Sequence, residues 1–193
     1  MTKNVPTSIS QCSCISINKV DKTKYLGVTF DQHLRCNFHI SELNTKLHKL
    51  YTFYNMSKHF LNIHWLKNTY YNLTQSLIEY GIVVWGNAAQ THINCLQIAQ
   101  NTSLKIIFHK PWLYSSKNLY SEAKILTVKQ LYYKKTIYYM SKKNLIQPVV
   151  HTYNTRTEKL IYPKINTTKY YNSYLLTGLK LYEKIPISIK NIP

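Results

Sequence analysis

Residues 24–54 read KYLGVTFDQHLRCNFHISELNTKLHKLYTFY, and the spacing of the apolar positions changes within that stretch. From Lys24 to Phe30, Tyr25, Leu26, Val28 and Phe30 crowd a short run of strand composition. From His39 onward, Ile40, Leu43, Leu47, Leu50 and Tyr54 recur at steps of three and four, one stripe of a helix over 39–58. Glu42, Lys46 and Lys49 fall off that stripe, on or near the solvent side. A strand giving way to an amphipathic helix sets the class as α-rich α+β, with the β element at the N-terminal end.

Upstream, residues 1–12 are polar and expected to fray. Cys14 to Val20 alternates apolar and polar, with Ile15 and Ile17 on one face. This reads as a first strand, with Asp21-Lys22-Thr23 as the turn of a β-hairpin. Gly27 then falls inside the second strand, where glycine marks a bulge or a close backbone approach. A hairpin is marginal alone, so it needs these helices or a partner sheet.

Downstream, a second helix starts near Ile63 with the stripe Leu66, Tyr70, Leu73, Leu77 and Tyr80. It ends at Gly81 or runs to Trp85, and Gly86-Asn87 stops it. A third helix over 91–108 faces Ile93, Leu96, Leu104 and Ile107 inward, and Pro111 closes it. A short helix near 116–124 precedes one near 128–144, which carries Val128, Leu131, Tyr138 and Tyr139 beside Lys134, Lys135, Lys142 and Lys143. After Pro148 the pattern fades, and only 173–184 has helical character.

The chain is 45% hydrophobic and 17% charged, the balance of a folded protein. Its 25 basic residues against seven acids leave a net charge of +18, which favours a polyanionic partner. Only Arg35 and Arg156 are arginine, so contacts to a nucleic-acid backbone fit better than base readout. A competing reading is compositional: Lys, Asn, Tyr and Ile all have AT-rich codons. Cys12, Cys14, Cys36 and Cys95 form no C-x-x-C pair, and free thiols are expected. His33, His39, His48, His59 and His64 lie at no metal-ligand spacing. No nucleophile elbow or glycine-rich phosphate loop is present. The polar first 15 residues and the short apolar run Ile82–Trp85 predict a soluble, intracellular protein with no membrane partner, in nucleus or cytoplasm. The sequence sets no oligomeric state.

Residues 24–31, with Leu34 and His39-Ile40, resemble the K-Y-L-G-V-x-x-D-x-x-L-x-W-x-x-H-I block of jockey-like, LINE-type non-LTR retrotransposon reverse transcriptases. Further matches follow in order. Leu77-Ile78-Glu79-Tyr80-Gly81 with Val84-Trp85-Gly86 resembles that family's L-x-Y-G-x-x-x-W-G segment. Leu96 with Gln100-Asn101, then Lys105, resembles its L-x-x-x-Q-N helix. His151 to Arg156 and Ile185-Pro186 resemble its tail. The likeness covers about residues 14–192 and departs from the family at Cys36, where a Trp is usual.

The resemblance implies that this region follows the catalytic palm. Its implied divisions are an end-of-palm hairpin over 1–31, thumb-like helices over 32–88, a downstream helical region over 89–147 and an irregular tail over 148–193. It implies Tyr25, Leu26 and Gly27 on the primer side, and Lys46 and Lys49 as backbone contacts to an RNA/DNA duplex; Lys105, Lys134 and Lys135 are further candidates for backbone contacts. Tyr132-Tyr133 and Tyr138-Tyr139 interleave with lysines as base-stacking surfaces do, although a core helix with a solvated lysine face is the preferred reading. Family polymerases hold two metals, about 3.5–4 Å apart, on paired aspartates upstream of the matched block. Asp21 and Asp31 are the only aspartates here, and neither lies in such a motif. The expectation is therefore a truncated polymerase fragment that is not an enzyme by itself, with no catalytic or metal-binding residue, Mg2+ belonging to the palm. The rival expectation is an inert or repurposed helical interaction protein with no nucleic-acid role.

Overall fold

The computed structural model describes residues 20–146, 160–164, 166–171 and 173–186. The strand expected over 14–20 and the tail motif at 151–156 lie outside the described residues.

The hairpin pairs β1 (Lys22–Tyr25) with β2 (Val28–Asp31), antiparallel, in the register Lys22↔Asp31 to Tyr25↔Val28. Its turn is Leu26-Gly27, with φ of +46° and +77°. The expectation of a turn at Asp21–Thr23 is thereby corrected, and Gly27 is a turn residue rather than a bulge. A two-residue loop matches the strand twist when both its residues take positive φ, and glycine does so at no steric cost. Asp21 instead closes the open end of the hairpin, its carbonyl accepting the Gln32 N–H at 3.0 Å. All of β1 is exposed, whereas Val28, Thr29 and Asp31 of β2 are buried.

The connection to the helices is held by Asp31, whose Oδ1 accepts the Arg35 N–H at 2.7 Å. Helix α1 (Asn37–Ser57) buries Ile40, Leu43, Leu47 and Tyr54 of the expected stripe, and His39 with them. Asn62 caps α2 (Ile63–Tyr70), its side chain accepting the Trp65 N–H at 3.1 Å. This helix continues without a break through a π-helical turn, Tyr71–Gln75, into α3 (Ser76–Glu79). The buried face is consequently Leu66, Tyr70, Thr74 and Ile78, in even steps of four. The expected continuation through Leu73, Leu77 and Tyr80 is corrected: Leu73 and Tyr80 are exposed and Leu77 is half-buried. A π turn holds more residues than an α turn and rotates the inward face by about one position. Thr74 enters the core because its hydroxyl pairs with the Tyr54 hydroxyl at 2.7 Å.

Gly81, at φ +62°, separates α3 from the single turn α4 (Ile82–Trp85). Helix α5 (Gln90–Ile107) packs along α1 in the same chain direction. Leu43 and Leu47 share one core cluster with Ile93 and Leu96, and Tyr54 shares another with Leu104 and Ile107. Helix α6 (Ser116–Ala123) joins the second cluster, and α7 (Val128–Lys142), opened by a Thr127/Gln130 capping box, joins the first. The inward side of α7 is Val128, Leu131, Tyr132, Thr136 and Met140, while Tyr138 and Tyr139, expected on the apolar side, are exposed. A short α8 (Thr168–Tyr171) precedes α9 (Tyr174–Glu183), which packs on α7 through Leu179 and Met140. Among the described residues no helix is long and apolar enough to cross a membrane.

Candidate nucleic-acid interface

The hairpin tip and the end of α3 form one joint. Tyr25 and Leu26 project into solvent, 65% and 72% exposed. Gly27 lies so close to Tyr80 that an added Cβ would sit 3.2 Å from its ring Cε1. The Tyr80 hydroxyl donates to the Leu26 carbonyl at 2.6 Å, and the Tyr80 carbonyl accepts the Trp85 indole N–H at 3.0 Å. Gly81 leaves room for Val28, whose Cγ2 would be 3.0 Å from a Cβ there. Residues 24–31 and 77–86, two separate blocks of the sequence, thus meet across the hairpin tip.

Behind the tip, β2 rests on α1. The Thr29 N–H points to His39 Nδ1 at 3.5 Å, and the Thr29 hydroxyl donates to Glu42 Oε2 at 3.2 Å. Burial pushes the His39 imidazole below its ordinary pKa, with Glu42 opposing the shift. The His39 ring centroid is 6.0 Å from that of the buried Trp85.

The expected backbone-contact lysines divide in two. Lys46 and Lys49 are exposed, one turn apart on α1, and Lys134 is exposed on α7. Lys105 and Lys135 are half-buried and engaged within the protein. The Lys105 ammonium donates to the Trp112 carbonyl and sits 5.5 Å from the indole centroid. Lys135 pairs with Glu79 at 2.6 Å. Burial works against the Glu79 charge, but hydrogen bonds from Lys135 and Gln75 outweigh it and hold the carboxyl below its ordinary range. Of the tyrosines beside them, Tyr132 is buried and Tyr133 packs half-buried against the core. Only Tyr138 and Tyr139 of that set face outward.

The Gln100-Asn101 motif sits in a buried amide–tyrosine network. Gln100 Nε2 donates to the Tyr70 hydroxyl at 2.7 Å and to the Leu126 carbonyl at 2.9 Å. The Tyr120 hydroxyl lies 2.8 Å from Gln100 Oε1 and 2.7 Å from Asn101 Oδ1. Gln97 Oε1 accepts the first N–H of α7, from Val128, at 3.1 Å. Burial drives both Tyr70 and Tyr120 far above the ordinary phenol range, so both phenols remain neutral. Sequence reasoning missed this role because an amide counts as polar in a periodicity test. The one available signal was position: Gln100 is four residues from Leu96 and from Leu104, on the buried stripe.

Cys36 is buried at the head of α1, and a cleft of about 980 Å3 opens beside it, lined by Phe30, Arg35, Trp85, His92 and Tyr174 among others. Among the described residues no three His, Cys, Asp or Glu side chains converge as metal ligands.

Comparison with known proteins follows the same line as the motifs. Over 126 residues, 59% of the chain, it is 26% identical to the probable RNA-directed DNA polymerase from transposon X-element of Drosophila melanogaster. Over 106 residues, 53% of the chain, it is 27% identical to the RNA-directed DNA polymerase from mobile element jockey of the same organism. Over 128 residues, 60% of the chain, it is 23% identical to the probable RNA-directed DNA polymerase from transposon BS of the same organism. The matched stretch spans only 13%, 12% and 13% of these relatives. No family model and no solved structure matches the chain. The chain resembles a part of non-LTR retrotransposon RNA-directed DNA polymerases.

Proposed function

We propose that this chain is the post-palm part of a mobile-element reverse transcriptase, and that it grips the template–primer duplex through the nucleic-acid backbone. Under this reading residues 1–31 end the palm, 32–88 form the thumb, 89–147 continue it and 148–193 form the tail. The observation that carries the proposal is the joint at Tyr80. It ties the exposed Tyr25-Leu26-Gly27 tip to the helices, as a primer-side hairpin must be tied to a thumb that closes on the duplex. Lys46 and Lys49, exposed on α1, supply sequence-tolerant phosphate contacts.

Polymerisation needs a pair of metal-binding carboxylates, which this reading assigns to the palm. Asp21 and Asp31 are the only aspartates, and neither lies in a paired-aspartate motif. No catalytic step is assigned to the chain, and Mg2+ belongs with the palm in this proposal. The test is binding of an RNA/DNA hybrid to the purified chain across about 50–200 mM salt, where affinity should fall steeply. Affinity unchanged over that range would remove the proposal.

One observation favours a second reading, a helical interaction protein without nucleic acid. Phe60, 87% exposed, stands at the α1–α2 turn with Met56, Ile63 and Trp65 also exposed, and all of β1 is uncovered. Size-exclusion chromatography separates the two readings: concentration-dependent assembly supports the second, and a monomer opposes it.

A further inference from the structure

Helices α1 and α5 run side by side in one direction, so their C-terminal ends meet at one end of the fold. Helix α5 ends in a Schellman motif: the Lys110 N–H bonds the Lys105 carbonyl at 2.9 Å and the His109 N–H bonds the Ile106 carbonyl at 3.3 Å. His109 takes the left-handed slot at φ +51°. The chain then turns sharply, the Tyr114 N–H bonding the Pro111 carbonyl at 3.0 Å, and Trp112 is carried out 69% exposed. Between this turn and the end of α1 lies an open cleft of about 500 Å3, bordered by Lys58, Lys105, His109, Lys110 and Trp112 with no acidic side chain among its lining residues.

Each lysine has a protein partner and donors to spare. Lys58 reaches Asn55 Oδ1 at 3.1 Å, Lys110 reaches Glu122 at 2.8 Å, and Lys105 reaches the Trp112 carbonyl. An ammonium carries three N–H donors, so these bonds orient the cations and leave capacity for a ligand. The indole projects from a rigid turn beside three cations. Bases in a duplex stack on one another and have no use for such a face, whereas an unpaired base does.

We propose that this cleft is a binding site for single-stranded nucleic acid, with a base stacked on Trp112 and adjacent phosphates held by Lys58, Lys105 and Lys110. The site is separate from the duplex face. Lys58 lies nine residues beyond Lys49, about two and a half turns along α1 and on the opposite side of its axis. The inference goes beyond the duplex-gripping reading and fails independently of it.

The test measures anisotropy of a labelled oligothymidylate of about ten nucleotides on the whole chain, in parallel with an RNA/DNA hybrid. Trp112→Leu should weaken oligothymidylate binding about five- to hundredfold and leave hybrid binding within about twofold. Lys46→Ala with Lys49→Ala should do the reverse. Trp112→Leu binding the oligonucleotide as the parent does overturns the site, as does hybrid binding with no oligonucleotide binding. Loss of both ligands in the parent chain removes the duplex reading as well. If Trp112→Leu fails to fold by circular dichroism, Lys58→Glu decides, since it must weaken oligothymidylate binding and flatten its salt dependence. Trp112-dependent binding to phosphatidylserine vesicles without oligonucleotide binding overturns the proposal in favour of an anionic membrane surface.

Discussion

The Tyr80 hydroxyl donates to the Leu26 carbonyl at 2.6 Å across 54 residues of sequence, and so fastens the tip of the hairpin to the end of α3. Its ring also covers Gly27. Tyr80→Phe removes the hydrogen bond and keeps the ring. It should cost about 0.5–1.5 kcal/mol, concentrated in the hairpin. Hydrogen exchange should quicken at the β-ladder amides between Lys22 and Asp31 while the α1 and α5 core stays protected. Unchanged exchange in the hairpin would show that the bond does not hold it.

Gln100 joins three elements through one amide, bonding Tyr70 of α2 and the Leu126 carbonyl while facing Tyr120 of α6. Gln100→Leu keeps the bulk and takes the donor from the buried Tyr70 hydroxyl and from the Leu126 carbonyl, while Tyr120 retains Asn101. An unsatisfied buried group costs about 1–3 kcal/mol, so the variant should lose about that much urea stability. Adding Tyr70→Phe removes one orphaned hydroxyl and should return part of the loss. A double variant no more stable than Gln100→Leu would place the energy of the network elsewhere.

The class of the fold was legible from apolar spacing, since α1, α5, α6, α7 and α9 fall close to where periodicity puts them. What escaped has physical reasons. The π turn at Tyr71–Gln75 leaves no residue-type signature, so a 3.6-residue stripe drifted off Thr74 and Ile78 onto Leu73 and Tyr80. The hairpin turn was masked because Leu26 adopts a positive φ that leucine rarely takes, and only Gly27 advertised it. Tyr138 and Tyr139 read as apolar although Thr136 and Met140 hold the buried side of α7. For the candidate site, sequence supplied the lysines; Lys135 bonds Glu79, a partner too distant in the chain for a local pattern to show, and Lys105 bonds the Trp112 carbonyl across the turn that ends α5.

His39 gives stability a pH dependence with a fixed sign. Its pKa in the folded chain lies below the value of about 6.5 for a free imidazole, because burial disfavours the cation. The unfolded chain therefore takes the proton first as pH falls. The stabilising contribution is complete above pH of about 6.5 and declines as pH drops through that value toward the folded pKa. Urea midpoints should fall between about pH 7.5 and 5.5. His39→Asn, which retains an acceptor for the Thr29 N–H, should flatten that part of the profile. An identical pH profile in the variant would assign the dependence to other groups.

The lysines offer the sharpest contrast within the candidate interface. Lys46 and Lys49 stand exposed on α1, so Lys46→Ala with Lys49→Ala should leave the melting temperature nearly unchanged. Loss of two phosphate contacts should lower hybrid affinity and reduce the magnitude of the log–log salt slope by about 1.4–1.8. Lys135→Ala should behave differently, because its ammonium neutralises the partly buried Glu79. That change leaves a carboxylate without its cation and should lower stability, by less than the loss of a fully buried pair would. The hybrid salt slope should stay closer to that of the parent. Paired measurements of melting temperature and salt slope on these variants check the assignment. If the Lys46/Lys49 pair changes stability without changing the slope, those side chains serve the fold, and the duplex contacts must be sought on Lys134 and the exposed face of α7.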